Sequence, residues 1–75
     1  MKLKWRNRGG FPCAVGSRGL YMLAYSGVFP LGAVLHVEVL EKNRPGYQRI
    51  VTIGGGDEAN LIQRAKVAAQ EHEDR

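Results

Sequence analysis

Cationic side chains occupy every second position near the start of the chain, at Lys2, Lys4, Arg6 and Arg8. In an extended strand, successive side chains point to opposite faces, so this spacing places the four cations on one face and Leu3 and Trp5 on the other. Lys and Arg bind phosphates and carboxylates. The pattern therefore indicates a binding surface for an acidic partner rather than a catalytic site. We call these four cations the basic stripe.

The basic stripe also has a structural explanation. Edge strands are commonly protected by charged residues, Lys above all, against pairing with other chains. Four cations in eight residues exceed what such protection needs, and more positive charge follows in the turns and the last strand. Three tyrosines would add aromatic surface to a binding face or serve as ordinary sheet residues; they are Tyr21, Tyr25 and Tyr47. The predicted partner-binding residues are Lys2, Lys4, Arg6, Arg8, Arg18, Arg44 and Arg49.

Residue types that carry catalysis or bind metals are sparse. Cys13 is the only cysteine, and a lone cysteine in an apolar strand is typical of a packed core. The two histidines, His36 and His72, match no metal-ligand spacing together with it. No serine follows the pattern of a nucleophile elbow. We therefore expect a protein that is not an enzyme, with no catalytic residue, no cofactor and no metal site.

Three consecutive glycines, Gly54 to Gly56, precede a predicted helix, and helix N-termini bind anions. Asp57 and Glu58 occupy that same end, however, and would repel a phosphate. Neither the dinucleotide-binding fingerprint nor the P-loop pattern is present. A plain hinge between strand and helix explains the glycines better.

The size and charge of the chain limit its class. Its 75 residues predict a single domain, residues 1–75, and one cysteine excludes an intrachain disulfide, so we expect either a well-packed monomer or a homodimer. Residues 1–56 carry eight basic and two acidic side chains, and residues 57–75 carry three basic and five acidic ones. The net charge of +4 therefore divides into +6 and −2. Such a field favours an acidic partner.

A membrane span is not expected. Residues 19–37 carry no charge and are long enough to cross a bilayer. Ser26-Gly27 and Pro30-Leu31-Gly32 interrupt this run with turn chemistry, and the apolar residues on either side fit two strands better. Arg18 also interrupts the apolar core that a signal peptide would need.

Alternating apolar residues predict strands through residues 1–53, and the period changes to a helical one after the glycine hinge at 54–56. Asp57 is a good N-cap for a helix over 57–72, and we expect 73–75 to fray because acids at a helix C-terminus are unfavourable. The predicted strands are 2–6, 11–15, 20–25, 33–41 and 47–53. Short turns between them favour antiparallel pairing. The predicted fold class is α+β: an antiparallel sheet of four to five strands with one C-terminal amphipathic helix packed on one face.

The compact start Met1-Lys2-Leu3-Lys4-Trp5, the glycine-punctuated strands and the closing helix with Ala65-Lys66-Val67-Ala68-Ala69 are similar to those of small bacteriophage and mobile-element proteins. Among these, the chain resembles anti-CRISPR inhibitors of type I surveillance complexes in size and organisation. The resemblance is architectural and covers the whole chain, and it assigns a role to no individual residue.

This resemblance implies a non-enzymatic inhibitor that binds a host protein complex, a Cas effector, in the cytoplasm of the host bacterium and blocks its binding of target DNA. Many such inhibitors are acidic DNA mimics, whereas this chain is basic. Its basic sheet face would therefore contact an acidic protein patch, guide RNA or DNA. The alternative is a small basic DNA- or RNA-binding accessory protein that uses the basic sheet face. A structural protein that dimerises through an exposed strand is compatible with the first function.

Overall fold

A computed structural model of the chain describes residues 1–27 and 33–75. The predicted turn at Pro30-Leu31-Gly32 lies outside the described residues. The elements are β1 (Arg6–Arg8), β2 (Phe11–Val15), β3 (Gly19–Ser26), β4 (Val34–Glu41), β5 (Gln48–Gly54) and α1 (Glu58–Glu73). The five strands form one antiparallel sheet in the order β1-β2-β3-β4-β5. The predicted α+β class, with a sheet followed by one helix, is confirmed.

The core lies between one face of the sheet and α1. Alternation along β3 and β4 directs every second side chain to this face, and α1 contributes a stripe at helical spacing. The small alanines on this side of α1 let the helix lie close to the sheet. The fully buried residues of this core include Tyr21, Leu23, Leu35, Val37, Leu61, Ala65 and Ala69.

The start of the chain differs from the predicted strand over residues 2–6. The sheet ladder begins only at Arg6, and α1 takes the place of β2 as the hydrogen-bonding partner of the preceding residues. The backbone N–H of Leu3 donates to Oε1 of Gln70 at 2.8 Å, and Nε2 of Gln70 donates to the Met1 carbonyl at 2.9 Å. The Gln70 side chain therefore holds residues 1–3 against the C-terminal part of α1.

The turn between β1 and β2 is tight. Arg8 pairs directly with Phe11, which leaves Gly9 and Gly10 as a two-residue hairpin loop. Both glycines have positive φ, 56° and 86°, as the favoured two-residue hairpin turn requires. This turn sets the register in which Arg6 lies directly opposite Cys13, so both side chains are on the same face of the sheet.

The helix begins as predicted and ends differently. Asp57 is the N-cap, and its Oδ1 accepts the backbone N–H of Asn60 at 2.8 Å. The expected fraying of residues 73–75 is wrong, because Glu73 is helical and buried and the Asp74 N–H bonds back to the Gln70 carbonyl at 3.0 Å. No helix in the described part of the chain is long and apolar enough to cross a bilayer.

Candidate binding surface

The sheet face opposite α1 is organised in cross-strand rows. Residues directly opposite one another in neighbouring strands share a face, and the register aligns two rows of three across β2, β3 and β4. These rows are Val15, Leu20 and Leu40, and Cys13, Met22 and Glu38. We call the sheet face that carries them the open face.

The centre of the open face is apolar and accessible to solvent. Val15 is 70% exposed and Phe11, on the same face of β2, is 41% exposed. Leu20, Met22 and Leu40 are half-buried. An apolar patch of this kind on the surface of a small domain commonly marks an interaction site. The open face therefore provides the floor of a binding surface.

The basic stripe borders this floor. All four of its cations are exposed, whereas Leu3 is 6% exposed and Trp5 is half-buried against the core, so the predicted alternation is confirmed. The four cations line a groove of about 440 Å³ whose other walls include Cys13, Val15 and Leu20. Within residues 1–27 and 33–75, none of the four takes part in an ion pair. Their charge is therefore free to meet an acidic ligand.

A second groove opens on the other side of the same apolar row. It has a volume of about 450 Å³, and Val15, Leu20 and Leu40 line it together with Lys42 and Arg44 from the β4–β5 turn. Because Val15 and Leu20 line both grooves, the basic stripe and Arg44 flank one continuous apolar strip. Arg44 is thus one of the predicted binding residues that the fold brings to this surface.

The other two predicted arginines are placed differently. Arg49 shares the open face, but a register shift in the β4–β5 pairing sets it opposite Glu38, and its Nε lies 3.5 Å from the Glu38 carboxylate. Arg18 lies in the β2–β3 turn, and its guanidinium donates to the main-chain oxygen of Arg75 at 2.6 Å. The fold therefore joins Arg18 to the helix end rather than to the open face.

The tyrosines do not form an aromatic platform with the stripe. Tyr21 is fully buried in the core, and the hydroxyl of Tyr25 donates to Glu58 at 3.3 Å. Tyr47 is 41% exposed, and it precedes β5 at the far edge of the sheet. The interpretation of Tyr21 and Tyr25 as ordinary sheet residues is the one that fits.

A buried polar cluster anchors the end of α1, and no sequence pattern predicts it. The buried Glu73 carboxylate accepts the Ser17 backbone N–H at 2.9 Å, the Ser17 hydroxyl, the Arg18 N–H at 3.4 Å and the Tyr21 hydroxyl at 3.3 Å. Burial alone would raise the pKa of Glu73, but these hydrogen bonds outweigh it and lower the pKa to about 2. Such a weakly basic carboxylate suits an anchor and not a proton acceptor.

A hydroxyl–imidazole contact lies beside this anchor. The Tyr21 hydroxyl lies 2.8 Å from Nδ1 of His72. Burial and the Glu73 charge raise the pKa of Tyr21 to about 12, and burial and Arg18 lower the pKa of His72. Both groups are therefore neutral near pH 7. The sequence separates these partners by 51 residues, and no local pattern could have paired them.

Among the residues that the structure describes, no three His, Cys, Asp or Glu side chains converge in a way that could hold a metal ion. His36 lies mid-strand, where its Nδ1 contacts the Thr52 hydroxyl at 2.8 Å. In comparisons with known proteins, no family model, no curated protein and no solved structure matches this chain.

Proposed function

We propose that this chain is a non-enzymatic binding protein that docks its open face on an acidic surface of a macromolecular partner. The observation that carries this proposal is that four exposed cations without ion-pair partners in the described residues line the same groove as exposed apolar side chains. Charge steers association and sets specificity, while buried apolar contacts supply affinity. The open face has both parts.

The specific form of this function that we propose is inhibition of a type I CRISPR–Cas surveillance complex in a host bacterium. Support comes from the resemblance in size and organisation to anti-CRISPR inhibitors and from the charge of the open face. A basic face would bind an acidic protein patch or the guide RNA and occlude the binding of target DNA. DNA mimicry is disfavoured because it requires an acidic surface.

The test uses the purified chain and purified type I surveillance complexes of several subtypes. We expect a stable stoichiometric complex with at least one of them and loss of its binding to a matched DNA target in a shift assay. Arg6→Glu should abolish both effects, whereas Arg75→Glu, with the same change in net charge at the helix end, should retain them. Surveillance complexes that all remain competent for DNA binding at saturating inhibitor contradict this form of the function.

The second candidate is a nucleic-acid-binding accessory protein, which the four exposed cations of the basic stripe also favour. If all four contact phosphates, the log of the association constant should fall with the log of salt concentration with a slope of about −3 to −4. Four variants, each with one stripe cation replaced by Gln, should each reduce that slope by about one. Absence of binding to DNA and RNA at low salt excludes this candidate and leaves the first one standing.

A further inference from the structure

The open face combines an apolar strip with cations on both of its sides. On the β1 side lies the basic stripe, and on the other side lie Lys42 and Arg44. We propose that the docking element of the partner is an acidic amphipathic α-helix, which lies along the stripe and crosses both cross-strand rows, with its apolar side on Val15, Leu20 and Leu40 in one row and on Met22 in the other. This inference rests on the proposed binding function and names the kind of partner that the open face fits.

The width of the strip suits one helix. Neighbouring strands are about 4.8 Å apart, so the distance from β1 to β4 across the sheet is about 14 Å. An α-helix with its side chains is about 10–12 Å wide. One helix therefore fills the space between the two groups of cations and brings acids on both of its flanks within reach of them.

The spacing along the stripe also suits a helix. Cations two residues apart in an extended segment are separated by about 6.6 Å. Acidic residues at positions i and i+4 of an α-helix are separated by about 6 Å along its axis. At this rise per residue, the stripe from Lys2 to Arg8 extends at most about 20 Å, the length of about 13 helical residues. A helix of three to four turns can thus pair an acid with each cation.

The apolar floor favours this ligand over a nucleic acid. A phosphate backbone gains nothing from Val15, which is 70% exposed, or from Leu20 and Leu40, and would leave them facing water or polar sugar. Base stacking needs aromatic surface. In the described residues, Phe11 and Tyr47 are each 41% exposed, and they lie at opposite edges of the sheet, so they form no continuous aromatic surface. An amphipathic helix covers the aliphatic side chains and meets the cations in one binding mode.

Two acids also lie near the strip and are accounted for. Glu38 is paired with Arg49 and so presents no free charge to the ligand. Glu41 lines the second groove together with Lys42 and Arg44, which leave that groove net positive. The cations therefore outnumber the acids on both sides of the apolar strip.

The experiment uses designed helical peptides as probes. A fluorescent peptide of about 16 residues carries Leu at positions i, i+3, i+4 and i+7 with Glu on both flanks. One control peptide has the same composition in an order without an apolar side, another has Lys in place of Glu, and a thymidine oligonucleotide of about 20 nucleotides is the third control. Fluorescence anisotropy gives affinities, and amide chemical shifts of the labelled protein locate the bound probe.

We expect the Leu/Glu peptide to bind at least about tenfold more tightly than its reordered control, and the Lys peptide not to bind. Val15→Ser should weaken binding about tenfold or more, and Val67→Ser, at an exposed valine on α1, should not. Amide shifts should change along β2, β3 and the β4–β5 turn. Unchanged melting curves would show that both variants are folded.

Three results overturn the inference: equal binding of the ordered and reordered Leu/Glu peptides, shift changes confined to α1, or preferential binding of the oligonucleotide. These results are distinct from failure of the proposed function. If the peptide fails while Arg6→Glu still disrupts a surveillance complex, the inference falls and the function stands. If the peptide binds while every surveillance complex is unaffected, the docking mode stands and the inhibitor function falls.

Discussion

Glu73 in the last turn of α1 is hydrogen-bonded to Ser17 in the β2–β3 turn, whose backbone N–H donates to Oε2 at 2.9 Å. The Ser17 hydroxyl donates to the same oxygen. A carboxylate is unfavourable at a helix C-terminus, so the turn must supply enough hydrogen bonds to offset both the helix dipole and burial. This contact fixes the end of α1 over one face of the sheet. Among the residues that the structure describes, no helix covers the opposite face, which carries the proposed binding surface.

Replacing Glu73 should therefore destabilise the domain. Glu73→Gln keeps the volume but removes the charge that strengthens the hydrogen bonds from Ser17 and Arg18, and the free energy of unfolding should fall by about 2 to 4 kcal/mol. Urea unfolding at pH 7 measures the change. Glu71→Gln, two residues before Glu73 and exposed, is the control and should change stability by less than about 0.5 kcal/mol. Equal effects of the two variants would show that the anchor contributes nothing.

The same anchor should make stability depend on pH. The pKa of Glu73 is lowered from 4.5 to about 2 in the folded protein, so the stabilising contribution is fully present above pH 4.5 and is lost as the pH falls towards 2. Its size corresponds to about 3 kcal/mol. As the pH is lowered from 7 to 2, the free energies of unfolding of the wild-type protein and of Glu73→Gln should converge. Curves that stay parallel down to pH 2 would contradict a lowered pKa.

The local parts of this fold follow from the sequence, and its long-range polar contacts do not. Alternation and turn glycines specify β2 to β5, and Asp57 specifies the start of α1, because each depends on neighbours within a few positions. The anchor joins Ser17 to a residue 56 positions away, and Leu3 bonds to Gln70 across 67 positions. Such pairs depend on how the helix is docked, which periodicity does not encode.

The candidate surface divides in the same way. The alternation of the basic stripe predicts its exposure directly, because a period of two is a property of extended chain. The positions of Arg18 and Arg49 depend on a turn conformation and on a shift in strand register. A one-residue shift changes which side chains face one another, and the sequence carries no sign of this shift. The distribution of charge along the sequence therefore predicts a basic sheet region, but it does not predict which of its cations form ion pairs or hydrogen bonds.

Gly19 should tolerate no side chain. A Cβ at this position would overlap the Leu40 carbonyl oxygen and lie 2.9 Å from Cα of Glu41, so the β3 and β4 backbones would have to separate. Gly19→Ala should lower the free energy of unfolding by about 1 to 3 kcal/mol. Gly54→Ala is the matched control in a strand, because its Cβ would meet only a Val34 methyl group, at 3.3 Å. Thermal unfolding that shows equal losses for the two variants would rule out this close approach.

Neighbouring residues at the start of the chain should respond in opposite ways to truncation. Leu3 is buried in the core cluster, so Leu3→Ala should cost about 2 to 4 kcal/mol of stability. Lys4 is exposed, and Lys4→Ala should change stability by less than about 0.5 kcal/mol while weakening partner binding. Chemical denaturation and a binding assay on the same two variants separate the roles. A stable Leu3→Ala variant would contradict the packing of this segment.

Arg6 and Arg49 lie at opposite edges of one cross-strand row. In the described residues, Arg49 forms an ion pair with Glu38 and Arg6 forms none. Because Arg49 is already paired, it offers less free charge to a partner. Its removal also leaves Glu38 without this ion pair. Arg6→Ala should therefore weaken binding of an acidic partner about tenfold, a larger loss than Arg49→Ala produces. Arg18→Ala should leave binding unchanged, because its guanidinium bonds to the helix end. Equal losses in all three variants, measured by titration at fixed salt, would mean that net charge rather than the open face determines binding.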